Sequence, residues 1–197
     1  LKTIQLKNSG IFAIESIWSE KVDRPFPSVG SVFNVIKENA KDFNYTVLNC
    51  NTREELFHSL ELAKSNSSKF RTLYFASHGH PYGISLSYSN KDKISLDELA
   101  EALGTDFSLW TIHFGSCSVL NVKDSLIKKF MDRTKIKMLT GYGVDVDWME
   151  SASFELLFFS YLTYNYSDLA KFRSVWYNRY SNLSDINQFK WYLKGEL

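Results

Sequence analysis

Apolar residues follow two rhythms along this chain. Short, mostly apolar runs occupy residues 11–18, 45–50, 73–76, 110–114 and 136–140, rich in aromatic and β-branched side chains. Such runs read as buried strands. Between them apolar residues recur at helical spacing: Val32, Val35, Ile36 and Ala40 on a helix opened by Ser28, then Leu56, Phe57, Leu60 and Ala63. Thr52-Arg53-Glu54-Glu55 and Ser95-Leu96-Asp97-Glu98 match capping boxes, so a helix is predicted to start after each, the second ending near Gly104. A helix over residues 119–132 would bury Leu120, Leu126, Ile127 and Phe130, and a later one Phe154, Leu157, Phe158 and Tyr161. Residues 82–88 and 91–94 alternate around Ser89-Asn90 and predict a hairpin. Residues 19–27, with Pro25 and Pro27, read as a loop; it and residues 80–92 are expected to be the mobile parts. Residues 167–197 read as helical, with Trp176, Tyr177, Tyr180, Phe189, Trp191 and Tyr192 packing them onto the rest.

Alternating strands and helices predict an α/β fold, with a mostly parallel central sheet and helices on both faces. Right-handed crossovers make the third and fourth strands parallel neighbours. The 197 residues suit a single domain over 1–197, an α/β core at 1–164 followed by a C-terminal helical extension at 165–197. A 44% hydrophobic and 16% aromatic composition can fill that core. A net charge of +1 gives no attraction to nucleic acid or to a membrane surface, so neither is expected as a partner. The apolar stretch 154–164 contains Glu155 and falls well short of the roughly 20 residues a spanning helix needs. No apolar core of signal-peptide length follows the first residues. Cys50 and Cys117 form no disulfide framework and suit a reducing compartment, so a cytoplasmic protein is expected. Phosphate loops, Gly-rich dinucleotide fingerprints and paired-cysteine zinc signatures are absent from the sequence.

Two of the strands end alike. Leu73-Tyr74-Phe75-Ala76 delivers Ser77-His78-Gly79, and Trp110-Thr111-Ile112-His113-Phe114 delivers Gly115-Ser116-Cys117. The C-terminal edge of an open α/β sheet is where ligands bind. A Cys and a His brought together there are the minimum for a thiol nucleophile with its base. A helix directly after Cys117 would favour the thiolate. Cys50 also lies at a strand-to-helix turn, but no His-bearing strand end is expected beside it, and a structural role is its default. His80 and His113 read as bystanders, His113 as a satisfied core residue, and His58 as solvated. A metal site of Cys117, His78 and His113 lacks a clear fourth ligand, so neither metal nor cofactor is expected. Asp145 and Asp147 lie in the loop after the fifth strand. Asp147 can cap the following helix, with Glu150 three residues on, or either acid can face the site and favour a cationic group on a bound ligand.

His78-Gly79 and Gly115-Ser116-Cys117 resemble the motifs of the caspase-like (clan CD) cysteine peptidases. Ile94-Ser95-Leu96-Asp97-Glu98-Leu99-Ala100, Gly143-Val144-Asp145-Val146-Asp147 and Phe158-Phe159-Ser160-Tyr161-Leu162 are similar to segments of the bacterial CHAT-type proteases. The resemblance covers about residues 11–162 and implies a caspase-like fold and a cysteine endopeptidase. In it Cys117 would be the nucleophile and His78 the base, and the N–H groups of Gly79 and Cys117 would form the oxyanion hole. Asp145 and Asp147 would line the substrate pocket and favour a basic residue before the scissile bond, Asp147 matching the acidic position better. The implied partners are a protein or peptide substrate and a regulatory protein, with bacterial defence among the settings. The rival from another class is a non-catalytic binding or ligand-triggered signalling module on the same fold.

Overall fold

Six strands form one sheet in the order β2-β1-β3-β7-β8-β9 in a computed structural model that describes residues 10–17, 27–40, 42–87, 92–165 and 167–197. The first five are β1 (Gly10–Glu15), β2 (Tyr45–Asn49), β3 (Phe70–Ala76), β7 (Thr111–Phe114) and β8 (Met138–Tyr142), all mutually parallel. The sixth, β9 (Phe189–Leu193), pairs antiparallel with β8. Three short strands, β4 (His78–His80), β5 (Gly83–Ser85) and β6 (Lys93–Ser95), make a separate antiparallel sheet. The strands β3 and β7 are adjacent and parallel, as the crossover argument required, with Thr72 opposite Thr111 and Phe75 opposite Phe114.

Alternate residues of each strand point to opposite faces, and each face has its own core. On one, Leu73, Phe75, Ile112 and Phe114 meet α2 (Arg53–Ser65), α3 (Leu96–Leu103) and α4 (Asp124–Thr134). On the other, Ala13, Tyr74 and Tyr142 meet α1 (Gly30–Asn39), α5 (Trp148–Asn165) and α6 (Leu169–Ile186). The predicted α/β class with helices on both faces is the observed one.

Several expectations are corrected. The helix α1 starts at Gly30 and buries Val32, Phe33 and Ile36, leaving Val35 exposed. The helix α2 has its capping box but buries Ser59 where Phe57 was expected, and Phe57 is exposed. On α5, Phe159 and Leu162 are buried and Leu157 is exposed. Residues 117–120 form a turn, and α4 begins only at Asp124. The C-terminal segment is a helix followed by a strand, because Phe189 and Trp191 alternate with Lys190 and turn toward the core. The hairpin of β5 and β6 is present; its tip, residues 88–91, and the loop at 18–26 lie outside the described residues.

Candidate active site

The ends of β3 and β7 are stitched together before either reactive side chain is reached. Gly115 donates its N–H to the Phe75 carbonyl at 3.0 Å, and the Ser116 hydroxyl donates to the same oxygen at 3.3 Å. Ser77 donates its N–H to the Ser116 hydroxyl at 3.3 Å, and the two hydroxyls lie 3.2 Å apart. Small residues at Ser77, Gly115 and Ser116 allow this crossing, and Ser77 and Ser116 are buried in it.

Beyond it, His78 opens the strand β4 where a loop was expected, and pairing with Ser85 of β5 holds its backbone. Its neighbour Gly79 lies against the backbone of Cys117. A Cβ at Gly79 would come within 2.0 Å of the Cys117 carbonyl oxygen and 2.8 Å of its nitrogen, so only glycine fits. The His78-Gly79 pair and Cys117 are therefore brought together. Among the described residues, the Cys117 N–H has no hydrogen-bond acceptor.

Cys117 is partly exposed. Its sulfur accepts from the Val146 N–H at 3.5 Å and lies 3.7 Å from the Val146 carbonyl. The expected helix N-terminus at Cys117 is not there, since Asp124 is the first residue of α4. The turn is instead held by hydrogen bonds to the 142–145 segment. Ser118, at φ 56°, donates its N–H to Val144 at 2.9 Å and its hydroxyl to Asp145 at 2.5 Å, and Leu120 donates to the Tyr142 carbonyl at 3.1 Å.

Asp145 thus sits one residue's contact from the sulfur, with an exposed side chain. Asp147 caps α5: its Oδ1 accepts from the N–H groups of Met149 at 2.8 Å and Glu150 at 3.3 Å. Cys50 is fully buried, and that burial, with the nearby Glu55 carboxylate, pushes its thiol up to about 12. It stays a thiol at neutral pH and is inert as a nucleophile.

Beneath the site lies a group that pattern reading passed over. Glu155 of α5 is 2% exposed and sits among aromatic rings. It accepts hydrogen bonds from the hydroxyls of Tyr74 at 2.6 Å and Tyr142 at 2.9 Å, and lies 3.2 Å from His113 Nε2. His113 Nδ1 meets the Thr140 hydroxyl at 2.8 Å. Both ring nitrogens of His113 are thus engaged, which agrees with a satisfied core residue and removes it from any metal set with Cys117. Burial, reinforced by the Glu155 charge, holds both phenols well above the usual range, so both are donors. The only sequence signal was a lone Glu inside the apolar run 154–164.

Solved structures with a similar chain path include a secreted C11 cysteine protease from Bacteroides thetaiotaomicron, 12% identical with a TM-score of 0.49 over 71% of this chain and 54% of that one. The Drosophila initiator caspase Dronc is 9% identical with a TM-score of 0.49 over 81% of this chain and 66% of that one. This chain therefore spans less than two thirds of the length of either. Among curated proteins none matches it. A family model described as a family of unknown function, DUF6642, matches residues 8–193, and the chain belongs to that family.

Proposed function

We propose that this chain is a cysteine endopeptidase acting through Cys117 and His78. The observation that carries this reading is the close seat of Gly79 on the Cys117 backbone. It puts a His and a part-exposed Cys from two adjacent strand ends on one edge of the sheet. His78 takes the Cys117 proton as the sulfur bonds to the carbonyl carbon of a peptide. The negative oxygen that results is held by the N–H groups of Gly79 and Cys117. The C–N bond then breaks, and the amine leaves with the proton from His78. Water, giving its proton to His78, attacks the thioester carbonyl; the C–S bond breaks, the acid leaves, and His78 returns the proton to the Cys117 sulfur. No cofactor enters. Asp145, hydrogen-bonded to the residue after Cys117, favours a basic residue before the scissile bond. The natural substrate is a protein, and a partner controls access to the sulfur beneath the 143–147 loop.

Labelling with a peptidyl acyloxymethyl ketone carrying Arg beside the reactive carbon tests this, read by mass spectrometry of the adduct. Cys117 is expected to be modified and Cys50 to remain free. His78→Ala is expected to slow labelling about 10²-fold or more, and Cys117→Ala to abolish both labelling and peptide cleavage. Cleavage that persists in Cys117→Ala overturns the assignment. A wild-type chain that never reacts with the probe points to the binding-module alternative.

A further inference from the structure

Taking a carboxylate out of water is unfavourable unless hydrogen bonds replace the water, and an apolar side chain could fill the same space without that penalty. Glu155 is nonetheless buried in the layer under the candidate site. Its partners come from three adjacent strands: Tyr74 of β3, His113 of β7 and Tyr142 of β8. Tyr74, His113 and Thr140 stand opposite one another in the sheet register; Glu155 meets the first two of that row and Tyr142, two residues beyond Thr140 on the same strand, while His113 links the row on to Thr140.

These strands are the ones whose ends build the site. The strand β3 leads to His78 and Gly79, β7 to Cys117, and β8 to the loop whose Val146 touches the sulfur. Two of the bonds reach the cysteine turn itself. The Tyr74 hydroxyl lies directly under Gly115, where an added Cβ would be only 2.1 Å from the phenolic oxygen. Gly115 is two residues before Cys117. On the other side, Tyr142 gives its hydroxyl to Glu155 and its carbonyl to the N–H of Leu120, three residues after Cys117. The two tyrosines bracket the turn, and the same carboxylate holds both.

From this geometry we infer that Glu155 is a positioning residue: through Tyr74 and Tyr142 it sets where the Cys117 turn stands relative to His78 and Gly79. The inference rests on the peptidase reading for its consequence, though not for its geometry. A glutamine at this position keeps the shape but presents an amide N–H₂ where one carboxylate oxygen stood. One of the hydroxyls then loses its acceptor and the turn it supports can move. Misplacement of reacting groups by about 1 Å can reduce a rate about 10²-fold without weakening binding.

The test uses the full chain and the arginyl acyloxymethyl ketone, with Glu155→Gln and Tyr74→Phe measured well below their melting temperatures. Maximal inactivation rate and probe affinity are separated by varying probe concentration. The expected result for Glu155→Gln is an inactivation rate lower by about tenfold or more with affinity within about twofold of wild type; Tyr74→Phe moves in the same direction. A merely structural role lowers the melting temperature and leaves this rate unchanged in the folded fraction, and that result overturns the inference. Should Glu155→Gln not fold, Tyr74→Phe decides by the same criterion. Should the ketone fail to label wild type, the peptidase reading fails separately. The comparison then runs on iodoacetamide alkylation of Cys117, where rates equal to wild type in both variants reject the positioning role.

Discussion

Asp145 and Asp147 are two positions apart, equally acidic and both exposed, yet the structure gives them different work. Asp147 places its Oδ1 over the first N–H groups of α5, the arrangement that Asp, Asn and Ser adopt at helix starts. Asp145 reaches back to the Ser118 hydroxyl, next in sequence to Cys117. Under the proposed peptidase reading, a preference for Arg before the scissile bond is assigned to Asp145. A hydrogen bond to a charged group contributes about 1.5–3 kcal/mol, about ten- to hundredfold in a rate-constant ratio. Asp145→Asn is expected to reduce cleavage after Arg, relative to its uncharged isosteres, by about tenfold. Asp147→Asn keeps both the cap and the preference. Peptide-library profiles of the two variants check this; an Arg preference unchanged in Asp145→Asn removes the role. Asp147 as cap was legible from its spacing to Glu150. The tie from Asp145 to Ser118 was not, because it links residues 27 apart in sequence.

Helix α3 shows how far an element's own sequence reaches. It has eight residues, too few to persist alone in water. Its ends are nevertheless set by local chemistry: Ser95 and Glu98 exchange hydrogen bonds as a capping box, and Gly104 ends the helix. Ser95→Ala is expected to destabilise the protein by about 0.5–2 kcal/mol, read from the midpoint of denaturant unfolding. The bonds from Ser95, with Arg53 beside them, hold the Glu98 carboxyl down at about 2. Its folded value lies below the unfolded one, so its contribution is present above the ordinary carboxylate range and is lost as pH falls toward about 2. In Glu98→Gln that part of the acid-induced loss of stability is expected to disappear. The faces of α1 and α2 were less legible. In α1, Phe33 and Val35 lie on either side of the stripe through Val32 and Ile36, and periodicity alone allows either to turn inward. Phe33 wins because its ring meets Tyr45, Tyr74 and Phe159 at centroid distances of 5.3–5.8 Å.

Across the whole molecule, β9 changes the status of the C-terminal segment from an extension to the sixth strand of the sheet. Trp191 is 7% exposed and packs against Phe158 and Phe172, with ring centroids at 5.2 and 4.9 Å. Trp191→Ala is expected to cost about 3–5 kcal/mol, again read from the unfolding midpoint. A loss below about 0.5 kcal/mol, the range of surface changes, would show that β9 is dispensable. The alternation in Phe189-Lys190-Trp191 was present in the sequence, but five residues with so many aromatics nearby do not separate a short strand from the end of a helix.

Local sequence was enough for the α/β class, the two capping boxes, the adjacency of β3 and β7, and the ends that carry His78 and Cys117. Each follows from residue periodicity, from caps closed within four residues, or from the handedness of a single crossover, all of which act over short stretches of chain. Packing in three dimensions was needed to settle which residues flank the buried stripes of α1, α2 and α5, that β9 joins the sheet, that Gly79 seats on Cys117, and that Glu155 has partners. Glu155 is 13, 42 and 81 residues from Tyr142, His113 and Tyr74. In sequence it is a charge misplaced in an apolar run. Its hydrogen bonds exist only once three strands and a helix have packed, because no local rule relates residues that meet only through the assembled sheet.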